Sequence, residues 1–377
     1  MNSDHAITPS KFLEISADIS YRLSGRAFDP RMVLDLILED AVACPCSETL
    51  LTKAIAVAVA GYGDNRRKMG PLAVLHPIRV AAILSRVTRD PSVLDLLGAI
   101  LHDRDEDLTK DQIGEERWAR MQTEMADLGR MLDPNHCWFL GERLDLLTLR
   151  DGQEYCQYLA NIMCQAGRMP DLIRVKLADR LDNTLDVGVS HHGIPTMGVF
   201  GTIFDLLFLP EFRGVQAPAS YVPVTEEEGT QMLANLFKNA EFLSLLRSER
   251  CQMCGTTLRL YDVLVRASTR IAQYLVQDTF TMHLDVGQQK AAVEEVLMYC
   301  QAGGLHEIKP KGDCPLDGIF VNLYGAKKGR RDRLKDAFGD KNRLARVGLV
   351  FMAIFANFLA DPGYTIKGID ASGVHVS

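Results

Sequence analysis

A chain of 377 residues can bury a sizeable core and is long enough for two domains. Its 42 basic and 49 acidic side chains leave a formal charge of −7, which excludes a general nucleic-acid footprint and confines any phosphate binding to a local basic patch. The apolar fraction of 47% and the charged fraction of 24% are those of an ordinary soluble globular protein.

The opening residues, Met1-Asn2-Ser3-Asp4-His5, carry no basic region leading into an apolar run, so no secretory signal is expected. No apolar run reaches the roughly 18 residues of a membrane span. The longest, Val347 to Ala360, contains Asn357 and reads as a buried helix. No membrane partner is expected. Nine cysteines, an odd number scattered through a large chain, suit reduced thiols and a cytoplasmic location. Cys251-x-x-Cys254 could be half of a zinc site, but Cys300, His306 and Cys314 lack the paired spacing of the other half, and plain thiols are the simpler reading.

Helical punctuation dominates the first two hundred residues. Thr8-Pro9, Asp29-Pro30 and Asp90-Pro91 each set a capping side chain before a proline suited to the first helical position. Met169-Pro170-Asp171 repeats the proline start with an acid in the first turn. Apolar residues recur at three and four, as in Val33, Leu36, Ile37 and Val93, Leu96, Leu97, Ile100. Residues 1–215 therefore read as an all-helical domain and 216–228, rich in Gly, Pro, Ser and Glu, as a connector. Thr225-x-x-Glu228 resembles a capping box opening a new helix. Residues 229–377 read as a mostly helical C-terminal module with one short strand or hairpin, the strand candidate being Ile319 to Tyr324. This module is the segment expected to carry any homo-oligomeric or protein-partner contact. The basic stretch Lys327 to Lys335 alternates with Asp332 and reads as a solvated turn. The expected fold class is mainly all-α.

Three segments carry chemistry. His76 sits in Leu75-His76-Pro77, nine residues after Arg67-Lys68. His102-Asp103 ends an otherwise apolar segment, and Glu106-Asp107 follow one turn later. A vicinal His and Asp there would be costly to bury unless paired or metal-bound. In the segment Pro170 to Val187, Lys176, Asp179 and Asn183 fall within about 60° of one another at 100° per residue. Leu177, Leu181 and Leu185 form an apolar stripe beside them. Each segment alone has a bland reading as a core histidine, an imidazole–carboxylate contact or a solvated face. Together, His76, His102, Asp103 and Asp179 offer two imidazoles and two carboxylates, a mixed set suited to Mn²⁺, Fe²⁺ or Zn²⁺.

The ordered set Arg67-Lys68, His76-Pro77, His102-Asp103-x-x-Glu106-Asp107 and Lys176-Leu177-Ala178-Asp179-Arg180-Leu181-x-Asn183 resembles the hydrolase domain of RelA/SpoT-type enzymes. These are HD-superfamily proteins that remove the 3′-pyrophosphate of ppGpp and pppGpp using Mn²⁺. The resemblance covers roughly residues 45 to 190. It implies an HD-type helical bundle, a single Mn²⁺ (with Fe²⁺ or Zn²⁺ as lesser alternatives) on His76, His102, Asp103 and Asp179, and Glu106 and Asp107 as the carboxylates that orient and deprotonate water. It further implies Arg67, Lys68 and Lys176 against substrate phosphates and base, and Asn183 on the nucleoside.

The chain departs from the family at several places. Arg104 and Asp105 stand where two apolar residues are usual, which makes Arg104 a candidate substrate contact. Asp182 stands where a histidine is usual, and Pro71-Leu72-Ala73 lacks the family's tyrosine. Asp186 stands near the place of a small hydroxyl residue. None of these removes a metal ligand; all fall around the substrate pocket. The expected activity is (p)ppGpp 3′-pyrophosphohydrolysis. Hydrolysis of another nucleotide such as (p)ppApp, or nucleotide sensing without catalysis, are the alternatives.

Overall fold

The structure, a computed structural model, describes residues 30–38, 45–67, 72–88, 91–188, 222–249, 255–309, 314, 316–325 and 327–374. The described residues are mainly helical, as the apolar periodicity implies. Thr8-Pro9, Asp29, Lys68, Asp90, Cys251 and Cys254 lie outside them. The chain forms two compact units, one of Met1–Leu185 with Gln252–Val263 and the other of Asp186–Cys251 with Leu264–Ser377.

In the first unit, α1 (Arg31–Leu38), α2 (Pro45–Tyr62), α3 (Leu75–Val87) and α4 (Val93–Leu101) are followed by the short turns α5 (Arg104–Asp107) and α6 (Lys110–Ile113). Then come α7 (Glu115–Met131), α8 (Pro134–Leu147), α9 (Tyr155–Gln165) and α10 (Asp171–Gly188). Helix α2 packs along α7 and against α4, and α3 packs against α1 and α4. The periodic residues line this core: Val33, Ile37 and Leu97 are fully enclosed, as are Leu177 and Leu181 on α10. Helix α3 is apolar nearly all round and is buried along its length, which is why it can carry His76 and Arg79 inside the bundle.

One start differs from expectation. The cap of α4 is Ser92, whose hydroxyl accepts from the Asp95 amide, and not the Asp90-Pro91 pair. A β-region serine with its oxygen over the first turn satisfies an orphan amide more directly than an aspartate two residues earlier. Helix α4 then ends at His102, and Asp103 opens α5, so the His-Asp pair stands at a break between two helices.

The second unit holds α11 (Glu226–Ser248), the larger part of α12 (Gly255–His283), α13 (Val286–Gln301), α14 (Arg330–Gly339) and α15 (Lys341–Ala360), with α14 packed on α11 and α15, and α13 on α15. The ring of Phe237 stacks on Tyr324 and meets Phe320 and Phe351 edge-on. Thr225 and Glu228 form the capping box of α11, as the sequence implies. The strand expected at Ile319 to Tyr324 is instead a π-helical turn, Phe320–Tyr324. Its alternating apolar residues bury Phe320, Leu323 and Tyr324 on one side, which a wide helical turn does as well as a strand. The only paired strands among the described residues form a hairpin, β1 (Ile369–Asp370) with β2 (Gly373–Val374).

In the basic stretch, Arg331 and Lys335 pair with Glu227 and Glu226 on α11, and Arg330 lies 3.9 Å over the Tyr324 ring. Helix α15 is long and apolar enough to cross a membrane, but 61% of its apolar window is buried among the other helices of its unit.

A close approach of α2 to the segment after α5 supports the His-Asp region. A β-carbon on Gly61 would stand 2.5 Å from Leu108 Cδ1 and 3.0 Å from Met121 Sδ. Gly61→Val is expected to cost about 1–3 kcal/mol through overpacking, read as a lowered midpoint in urea or thermal unfolding.

Candidate metal centre

Four helical segments bring the predicted residues together inside the first unit. His76 comes from the first turn of α3, His102-Asp103 from the α4–α5 break, Glu106 and Asp107 from α5, and Lys176, Asp179 and Asn183 from α10. His76 and His102 are 3% and 2% exposed, with ring centroids 5.0 Å apart. Candidate ligand atoms of His76, His102 and Asp103 all lie within 4.8 Å of one another. Asp179 Oδ1 joins them at 3.3 Å from His76 Nε2 and 3.7 Å from His102 Nε2.

Both Nε2 atoms face Asp103 as well, each at 3.1 Å, yet neither makes a hydrogen bond of acceptable geometry. Two buried ring nitrogens aimed at carboxylate oxygens without bonding to them leave polar atoms to be satisfied by something else. Two imidazoles and two carboxylates around one point are the donor set of a divalent metal, so these residues fit such an ion.

The remaining ring nitrogens are bonded. His102 Nδ1 lies 2.8 Å from the Ala99 carbonyl, and His76 Nδ1 lies 2.6 Å from Asp182 Oδ2. Asp182 is fully buried and takes a two-pronged contact from Arg79, Nε to Oδ1 at 2.6 Å and a terminal nitrogen to Oδ2 at 3.0 Å.

Electrostatics follow from this crowding. Burial and Arg67 both disfavour protonation of His76, but the three carboxylates Asp103, Asp179 and Asp182 outweigh them and raise its pKa to about 9. His102 is likewise raised, with burial opposed by Asp103 and Asp179. Asp103 and Asp179 are held well below the usual carboxylate range: burial opposes this, while the imidazoles and, for Asp179, Lys176 prevail. Glu106 moves the other way. Burial pushes it up to about 7 although the Leu149 amide donates to Oε1, and Asp103 adds repulsion. Asp107 is also raised, by burial and by Asp103, and accepts from the Tyr62 hydroxyl at 3.3 Å.

The candidate substrate residues are placed less uniformly. Arg67 donates to Asn183 Oδ1 at 2.6 Å, and Asn183 Nδ2 donates to Asp179 Oδ1 at 2.6 Å. Lys176 is buried, 2.7 Å from Asp179 Oδ2 and 5.0 Å over the Tyr158 ring. Arg104 makes a two-pronged contact with its neighbour Asp105 at the surface.

Sequence reasoning missed what Arg79, Tyr62, Tyr158 and the Leu149 amide contribute. It saw Asp182 only as a departure from the family pattern. The signal was available for Arg79 and Asp182, each a charge three residues after a candidate ligand on a helix with an apolar face.

The fold and site define a mainly α-helical protein in which two buried histidines meet Asp103 and Asp179 where a divalent cation could be held. Among known proteins, the chain is similar to the GTP pyrophosphokinase rsh of Brucella ovis, Brucella abortus and Brucella suis biovar 1, at 29% identity over 143 residues in each case. That stretch is 38% of this chain and 18% of each relative, so the similarity spans under a fifth of the curated proteins' length. No family model matches the chain.

The raised histidines give a signed prediction for the metal-free protein. His76 binds its proton more tightly folded, about 9, than unfolded, 6.5. Its stabilising contribution is therefore present in full below 6.5 and is lost as the pH rises through about 9. The metal-free midpoint of thermal unfolding should fall across that interval. A divalent ion at a hundred times its Kd should add about 2.7 kcal/mol. Because the ion displaces those protons, its binding should release protons, measurable by calorimetry in buffers of different ionisation enthalpy.

Proposed function

We propose that this chain is a divalent-metal-dependent phosphohydrolase that removes the 3′-pyrophosphate of guanosine alarmones, ppGpp to GDP and pppGpp to GTP, with Mn²⁺ as the ion. The observation that carries the reading is the pair of buried, unbonded histidine Nε2 atoms facing Asp103 and Asp179, with Glu106 raised to about 7 alongside. The similarity to proteins named GTP pyrophosphokinase supports guanosine alarmone metabolism in general, and the spacing of the four motifs supports the hydrolytic direction. In this reading residues 1–215 form the phosphohydrolase domain, 216–228 a connector and 229–377 a C-terminal module, all in the cytoplasm.

His76, His102, Asp103 and Asp179 would hold the ion. When bound, the ion supplies Lewis acidity, polarising a phosphoryl oxygen and making water a nucleophile near neutral pH. Glu106, a half-buried carboxyl one turn from Asp103, is the group suited to take the proton from that water. Asp107, held by Tyr62, would orient the same water. Lys176 sets a cation beside Asp179, and Arg67 stands next to Asn183, so positive charge borders the place where negative charge builds on the leaving nucleotide.

The second reading is hydrolysis of another nucleotide, such as the adenosine alarmone (p)ppApp, because a departure from the family pattern, Asp182, lies 3.6 Å from Arg67, which donates to Asn183.

Pyrophosphate release from ppGpp and ppApp, with and without Mn²⁺, tests both readings. Asp103→Ala should abolish metal uptake and turnover together. Glu106→Gln should lower kcat by about 10²–10⁴ while leaving metal uptake in place. Metal-loaded protein that binds these nucleotides but releases no product would make it a sensor and sink both hydrolytic readings.

A further inference from the structure

We infer that Asp182 and Arg79 are positioning residues of the metal centre, a buried ion pair that grips His76 through Nδ1 and presents its Nε2 to the ion. This rests on the metal-binding reading of His76, His102, Asp103 and Asp179.

The two histidines are fixed by different means. His102 leans on the Ala99 carbonyl at the end of its own helix, a contact made by neighbouring residues. His76 is held from another helix, by a side chain 106 residues further along the chain. A metal-binding imidazole commonly gives its second N–H to a carbonyl or carboxylate, which sets the tautomer and the ring angle. Both rings follow that rule, with Nδ1 engaged and Nε2 pointing into the donor set.

The arrangement is a small cross-helix lattice. His76 and Arg79 are three residues apart on α3, and Asp179 and Asp182 are three residues apart on α10, so each pair shares a helix face. Across the gap His76 meets both aspartates, and Arg79 meets Asp182. Asp182 Oδ2 lies 2.6 Å from His76 Nδ1 and 3.0 Å from Arg79, and Arg67 approaches it at 3.6 Å.

A purely structural ion pair between Arg79 and Asp182 would need no third partner, because the two-pronged contact is already complete. Here the contact to the imidazole is shorter than the one the same oxygen makes to Arg79. With Arg79 neutralising it, Asp182 can lie fully buried and still accept from His76. An aspartate at this place, where a histidine is usual in the RelA/SpoT family, therefore comes with its own countercharge on α3.

The test uses the full chain and Mn²⁺ binding measured by titration calorimetry. The paired substitution Arg79→Met with Asp182→Asn removes both charges together, so neither is left buried alone. It should weaken Mn²⁺ binding about 10–100-fold. In the Zn²⁺-loaded double variant the ring-nitrogen NMR signals of His76 should shift while those of His102, which leans on the Ala99 carbonyl, stay in place.

Unchanged affinity in the double variant, or His76 and His102 signals that shift alike, would overturn the inference while leaving the metal centre standing. Failure of the wild-type protein to take up Mn²⁺ would overturn both. If the double variant does not fold, ring-nitrogen NMR of the Zn²⁺-loaded wild type decides. The expected spectrum has His76 protonated at Nδ1 and metal-shifted at Nε2, and the reverse assignment would overturn the inference.

Discussion

Burying several carboxylates beside two imidazoles inside an apolar helical bundle is the constraint from which the rest of the first unit follows. Asp179 and Asp182 are removed from water, and Asp103 largely so, by the same helices whose leucines and valines make the core. Isolated carboxylates in such a place would cost several kcal/mol each. The protein offsets this with Arg79 on Asp182, Lys176 on Asp179, and the imidazoles themselves, which without a cation hold protons above their ordinary range. A divalent ion would replace those protons and satisfy the nitrogens that now bond to nothing. Charge balance and fitness for a divalent ion are thus two aspects of one arrangement.

Helix geometry decides which groups meet. The break after α4 turns His102 inward while Asp103 opens the next turn and projects Glu106 and Asp107 beside it. Helix α10 is fixed by Leu177 and Leu181, which are fully buried, and by Asp171, which pairs with Arg143 on α8. With that helix anchored, Asp179, Asp182 and Asn183 stand along one edge and reach α3 and Arg67. Burial pushes both Glu106 and Asp103 upward, and their opposite pKa directions come from their neighbours. Asp103 has imidazoles against it, whereas Glu106 has a carboxylate neighbour and one backbone amide. Two acids three residues apart are thereby separated into a permanently ionised one and one that titrates near neutrality, a division suited to ligand and base.

The second unit obeys simpler rules. Its aromatic cluster and the pairing of Arg331 and Lys335 with α11 are those of a packed helical module. Helix α15 shows why composition alone misleads: long and apolar enough to cross a bilayer, it spends its apolar face on the unit's own core.

By itself the sequence determined the helical class, the capping box at Thr225, the apolar stripe of α10 and the four candidate ligands. Periodicity, capping and the cost of burying charge are local or pairwise properties that can be read along a chain. Only the tertiary structure decided that Asp182 grips His76, that Lys176 is buried on Tyr158 instead of reaching into solvent, and that Arg104 is engaged by Asp105. It also decided that Ile319 to Tyr324 winds into a π-turn. Contacts between α3 and α10 join residues about a hundred positions apart, and a short alternating run fits a strand and a helical turn equally well. Their outcome depends on which surfaces the fold brings together, and no local pattern encodes that.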